Sequence, residues 1–138
     1  MANTAGVPYS AKKQFLEGLI ASGDSFYAAL YTSGGTLSPS STTVYTSSGE
    51  VVGAGYTAGG QLLTGITFGV SGGVAYMTFS NPSWSASTLT GVVAMLIYDS
   101  SQSNAAVAIL TFASTSTVSG TFTVQLPAAG ASSTITLA

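Results

Sequence analysis

The chain has 138 residues, with two basic and four acidic side chains, no histidine and no cysteine. That length suits one domain able to bury its own core. Charged residues are 4% of the chain, against about 25% in an ordinary soluble domain. The inventory excludes a Ser-His-Asp triad, a Cys-His pair, disulfides and cysteine-ligated zinc. A net charge of −2 offers no cationic face to displace counterions, so no nucleic-acid partner is expected.

Ser, Thr, Gly and Asn must supply most of the polar surface. Copies of such a chain repel each other weakly, which predicts a homo-oligomer, dimer or trimer, or a part of a larger assembly. The N-terminal residues lack the charged start and apolar run of a secretion signal. The longest dense apolar stretch, Val92 to Tyr98, is far short of the ~20 residues of a membrane helix, so no membrane partner is expected.

In chain order, residues 1–9 have no periodicity and read as an N-terminal arm. A helix is predicted over 10–22, with Ser10 as N-cap and Gly23 as its stop. Phe15, Leu16, Leu19 and Ile20 form its apolar stripe, and Lys12, Lys13 and Glu17 its solvated face. From Asp24 the pattern turns to strands. Phe26, Ala28 and Leu30 alternate with Tyr27, Ala29 and Tyr31, apolar on both faces, as in a strand covered on both sides. Gly34-Gly35 ends it, and a Ser/Thr/Gly-rich connection runs from Thr36 to Gly60, with a short strand near 43–46.

Leu62–Val70 and Val74–Ser80 then read as a hairpin about Ser71-Gly72-Gly73. Asn81-Pro82 is a turn, and Trp84 lies between strands, plugging one end. Further strands are predicted at Gly91–Asp99, Ala105–Ala113, Val118–Leu126 and Ser133–Leu137. One short N-terminal helix followed by this strand spacing predicts a mainly β chain. The expected fold is an antiparallel β-sandwich of jelly-roll type, as a single domain over 10–138.

Glycoside hydrolysis needs two neighbouring carboxyl groups, and Glu17, Asp24, Glu50 and Asp99 stand alone in sequence. Calcium prefers clustered acids. The loop from Asp99 to Asn104 has one and reads as a hairpin turn. The two lysines are adjacent on one helix, so no phosphate clamp is expected. Gly53, Gly55, Gly59 and Gly60 around Tyr56 read as turn glycines. No catalytic, cofactor-binding or metal-binding residue is expected, and the chain reads as no enzyme. Tyr9, Tyr27, Tyr31, Tyr45, Tyr56, Tyr76 and Tyr98 suit packing better than a sugar-stacking surface.

Three stretches carry a family resemblance. Asp24 to Ser33 reads DSFYAALYTS, Thr42 to Thr46 reads TTVYT, and Glu50 to Gly60 reads EVVGAGYTAGG. With Trp84, Ser87-Thr88-Leu89 and Val93 to Asp99, this resembles a family of small virion structural proteins of tailed bacteriophages, of the capsid cement or decoration type. The likeness covers most of residues 15–125. Members often carry a basic residue after the Trp segment, where this chain has Thr90-Gly91-Val92. The resemblance implies a structural protein on the capsid exterior of a virion, made in the bacterial host cytoplasm, whose partner is the major capsid protein. The alternative is a tail-associated or fibre-tip binding module. With so little charge, contact must come from apolar area and backbone hydrogen bonds. Val7 and Tyr9 in the arm, and Val44, Tyr45, Val51 and Tyr56 in the loop, are the interface candidates.

Overall fold

The computed structural model describes residues 3–127 and 133–137. Helix α1 spans Tyr9–Leu16 and opens on Pro8, whose carbonyl accepts from Ala11 N and Lys12 N. Ser10, expected as the N-cap, lies inside the helix, and its hydroxyl is buried without a partner. The helix also stops well before the expected residue 22. Gly18 has a φ of 73°, Gly18 N donates to Phe15 O, and Leu19 N donates to Gln14 O. This paired closure is a Schellman ending, and it places the stop at Gly18 rather than Gly23. Ile20 is buried and Phe15 packs on the core, while Leu16 and Leu19 are exposed.

Strand β1 (Phe26–Thr32) is followed by β2 (Gln61–Leu62), β3 (Thr67–Ser71), β4 (Val74–Thr78), β5 (Ser83–Asp99), β6 (Ala105–Thr123) and β7 (Ile135–Leu137). They form two antiparallel sheets, ordered β2-β1-β5-β6 and β3-β4-β7. The chain is therefore mainly β with one short helix. The stretch expected as one strand over 62–70 divides because Thr64 leaves the first sheet, where its carbonyl accepts from Ser80 N, before β3 joins the second. The β3–β4 hairpin turns on Gly72 and Gly73, with φ of 57° and 81°, as a two-residue turn of the primed kind requires.

Two predicted strands merge into β6, and Trp84, expected between strands, lies within β5. These two long strands pair over almost their whole length, and the interruptions read from sequence are absorbed as register shifts. Local bulges let a ladder continue past residues that do not fit it.

The alternation in β1 divides its side chains between two clusters. Phe26, Ala28 and Leu30 join Met95, Ile97 and Val107, together with Met77 and Ile135 of the second sheet. Ala29 and Tyr31 join Ala94, Leu96, Tyr98 and Leu37 on the opposite face. The first sheet is thus covered on both faces: by the second sheet, and by the connection from Thr36 to Gly60.

Candidate functional site

The covering connection closes edges of the first sheet. Along β1, Leu63 N donates to Phe26 O, Leu30 N to the Tyr56 hydroxyl at 2.9 Å, Val51 N to Leu30 O and Thr32 N to Gly49 O. Along β6, Ala106 N donates to Thr43 O, and Gly6 and Ile109 exchange both backbone hydrogen bonds. The strand expected near 43–46 reduces to a single bridge between Val44 and Ala105. An open strand edge is a template for aggregation, and here the chain blunts its own. Gly60 is required by the close approach: a Cβ there would overlap the Ala28 carbonyl.

Glu50 fastens this cover. Its Oε2 accepts from the Tyr45 hydroxyl at 2.5 Å, and its Oε1 accepts from the Tyr56 hydroxyl at 2.6 Å and from Gly59 N at 2.8 Å. Tyr31 donates to Thr46 O and Tyr98 to Gly59 O, at 2.5 and 2.7 Å. The Tyr45 and Tyr98 rings pack at 4.9 Å between centroids. Burial, reinforced by the nearby Glu50 charge, raises the titration of the Tyr31, Tyr45, Tyr56 and Tyr98 hydroxyls above the ordinary tyrosine range. They remain donors, which is the state the carboxylate needs. Chemically the cluster is a clamp: hydroxyls hold a carboxylate, and the carboxylate holds a loop on a sheet.

The six interface candidates separate on this geometry. Tyr9 and Val44 are exposed, at 61% and 49%. Val51 is buried, Val7 and Tyr56 pack against the core, and Tyr45 packs on Tyr98. Val51, Tyr45 and Tyr56 thus face their own sheet rather than solvent. The arm is also not free among its described residues. Asn3 Nδ2 donates to Thr32 O, Asn3 Oδ1 accepts from Leu37 N, and Thr4 N donates to Leu37 O. Sequence reasoning missed Glu50 as an anchor. The signal was there: an acid with a tyrosine on either side and glycines to let it approach the strands.

The other acids outside the helix, Asp24 and Asp99, meet at the opposite end of β1. Asp99 pairs with Phe26 in the ladder and is fully buried. Burial first, and then the neighbouring Asp24 carboxyl, push the Asp99 titration up to about 7. Asp24 is lowered, chiefly by its hydrogen bond with Asp99. Among the described residues no group of three or more acid, histidine or cysteine side chains is placed to hold a metal ion. No described helix is long and apolar enough to cross a membrane.

Exposed apolar side chains are spread over the surface, with Val52, Leu16, Val118 and Val70 at 95, 87, 82 and 75%. Val70 lies on β3 and Val118 on β6, which end their sheets. No protein-family model, curated protein or solved structure matches this chain.

Proposed function

We propose that the chain is a non-catalytic virion structural protein that binds and stabilises a bacteriophage capsid shell, as a cement or decoration protein contacting the major capsid protein and further copies of itself. In this reading the two sheets form a sandwich of jelly-roll type displayed on the capsid exterior. One observation carries the proposal. Lys12, Lys13 and Glu17 all lie on or beside α1, and Glu50 and Asp99 are turned into the molecule's own hydrogen bonds. The surface beyond the helix is therefore Ser, Thr and Gly interspersed with single exposed apolar side chains, nearly free of charge. Such a surface suits close packing against a fixed neighbour in many copies and offers no chemistry. The resemblance of Asp24 to Ser33 and Glu50 to Gly60 to phage virion proteins supports the same reading.

Because Val51, Tyr45 and Tyr56 serve the chain's own fold, the shell contact falls to the exposed candidates Tyr9 and Val44 and to residues such as Val52. Contact of this kind draws little on Coulomb energy, so raised salt alone should leave the protein on the particle. The deciding experiment is copy number in purified virions. A number comparable to that of the major capsid protein is expected. A handful of copies per particle would overturn the shell reading in favour of a tail-associated or fibre-tip binding module.

A further inference from the structure

Most strand edges of this chain are closed or blunted from within. The connection and the arm bond to β1 and to β6 as far as Ile109, and β2 and β7 are only two and three residues long. Beyond Ile109, β6 shifts register against β5 repeatedly, and Ser119 has a φ of 46°. Covered, short or bulged edges resist pairing with another chain. Strand β3 has none of these devices. It pairs with β4 residue for residue without a register shift, and its sequence TFGVS carries no charge and no proline.

The hairpin decides which backbone groups of β3 face outward. In a two-residue hairpin the flanking residues, here Ser71 and Val74, form a bonded pair, and bonded and non-bonded pairs then alternate along the ladder. Ser71, Gly69 and Thr67 therefore turn their amides and carbonyls to β4. Phe68 and Val70 turn theirs to the open side, where no other described strand or loop bonds to their backbone. The side chains of the same two residues are exposed, Phe68 at 44% and Val70 at 75%. Phe68 stands opposite Met77, which stands opposite Ile135, and with Phe15 these residues line an apolar pocket of about 60 Å³. The core face of the second sheet thus runs out to its β3 edge and is left uncovered there.

We propose that β3 pairs with β3 of a second copy, antiparallel about a two-fold axis at Gly69, which joins the two β3-β4-β7 sheets into one. In that register Phe68 of one copy lies opposite Val70 of the other. Such a pair exchanges both backbone bonds, as the outward-facing groups of these two residues require, and the axis repeats the exchange. On one face the aromatic and β-branched side chains cover each other, and on the other Thr67 meets Ser71, hydroxyl to hydroxyl. Gly69 meets Gly69 as a non-bonded pair, where strands approach most closely. The space its Cβ would take is already filled by the Tyr76 ring. Each position thus meets its own kind, which an identical strand supplies and an arbitrary one does not. Neither β3 nor β4 carries a charge, so the copies meet without repulsion. As the surface for the self-contact in the proposed function, this pairing rests on that reading. A contact this short lies at the weak end, below ~1,200 Å² of buried surface, with a Kd on the order of 0.1 mM. Dilute protein is then monomeric, and copies held side by side are paired.

The test uses the purified full chain. Sedimentation equilibrium up to about 1 mM, well above that Kd, is expected to show a monomer–dimer equilibrium. Val70→Lys puts a charge at an exposed edge position. It is expected to keep the wild-type circular dichroism and to stay monomeric. The register is read by cross-linking, since the chain has no cysteine of its own. Across the axis Thr67 and Ser71 form a non-bonded pair with Cα atoms about 4.5 Å apart, within disulfide range. Mild oxidation of Thr67→Cys mixed with Ser71→Cys is expected to give the cross-linked dimer several-fold faster than either variant alone. Three results overturn the proposal: a wild-type chain still monomeric at about 1 mM, a dimer that Val70→Lys leaves undiminished, or a mixture that cross-links no faster than its components. If Val70→Lys fails to fold, the cysteine mixture decides. A monomeric chain present in virions at shell-like copy number would remove this contact and leave the shell reading standing.

Discussion

Glu50 and Asp99 are the two acids that the first sheet draws inward, at opposite ends of β1, and they meet burial in opposite ways. Glu50 is surrounded by donors: two tyrosine hydroxyls and a backbone amide bind its two oxygens. Asp99 has one backbone donor, an unpartnered oxygen and another acid beside it. Among the described residues neither has a cation beside it. The contrast teaches that a half-buried carboxylate in a nearly uncharged chain can be held by O–H and N–H donors alone. Where donors run short, the group's titration is pushed up instead. The first arrangement builds fold, and the second leaves an unmet demand.

Breaking the donor-rich end has the largest expected effect. Glu50→Ala leaves the hydroxyls of Tyr45 and Tyr56 and the amide of Gly59 without their acceptor. Losing bonds to a charged group costs about 1.5–3 kcal/mol each and is not additive, so about 3 kcal/mol of stability should disappear in urea unfolding. Glu50→Gln, which keeps one acceptor oxygen, should lose about half as much. A Glu50→Ala variant within about 0.5 kcal/mol of wild type would show that the loop is held by something else.

Removing the arm probes whether the edge cover matters outside the clamp. Deleting residues 1–7 strips Gly6 from Ile109 and Asn3 from Thr32 and Leu37, uncovering part of the β6 edge. The expected result is a folded chain that is less stable by about 2 kcal/mol and that self-associates on light scattering. A monomer of unchanged stability would return the arm to the free role that its sequence suggests.

Tyr56→Phe is a finer cut. It removes one hydroxyl that joins Leu30 N to Glu50 and leaves the ring packed on the core and near Trp84. A loss of about 1–2 kcal/mol is expected, and coupling with Glu50→Gln should appear in a double-mutant cycle. The same hydroxyls set the alkaline limit. Tyr31, Tyr45 and Tyr56 are raised by burial and by Glu50, while in the unfolded chain they ionise near ~10. Above that pH the unfolded state has lost protons that the folded state keeps, so stability falls as pH rises. Absorbance titration should show these tyrosines ionising together with unfolding rather than before it.

Much of this architecture is readable in the residues, and the unread parts share a cause. The two-sided apolar alternation of Phe26 to Tyr31 foretells a sheet covered on both faces, and Gly72-Gly73 marks the hairpin of the other sheet. Local signals of that kind need no partner. The helix ends at Gly18 and not at Gly23 because the amides of Gly18 and Leu19 close it on Phe15 and Gln14, a pairing that the apolar stripe running on to Ile20 does not announce. Tyr45, Val51 and Tyr56 look like loop anchors facing outward because a loop has no period to say which way it faces. Asp24 and Asp99 look solitary because only the β1–β5 register makes them neighbours.

The smallest expected effect lies at the donor-poor end, and its sign is the point. Asp99→Asn keeps an acceptor for Ser101 N and adds an amide that donates toward Asp24. Near neutral pH it removes a buried carboxylate that burial and Asp24 both disfavour. Its stability should lie within about 1 kcal/mol of wild type and on the stabilising side. Any difference should shrink as pH falls below about 7, where the wild-type carboxyl becomes neutral as well. Urea unfolding on either side of that pH gives the comparison directly. A loss as large as that of Glu50→Ala would mean that the Asp99 charge is satisfied after all, and the two ends of β1 would then follow one rule.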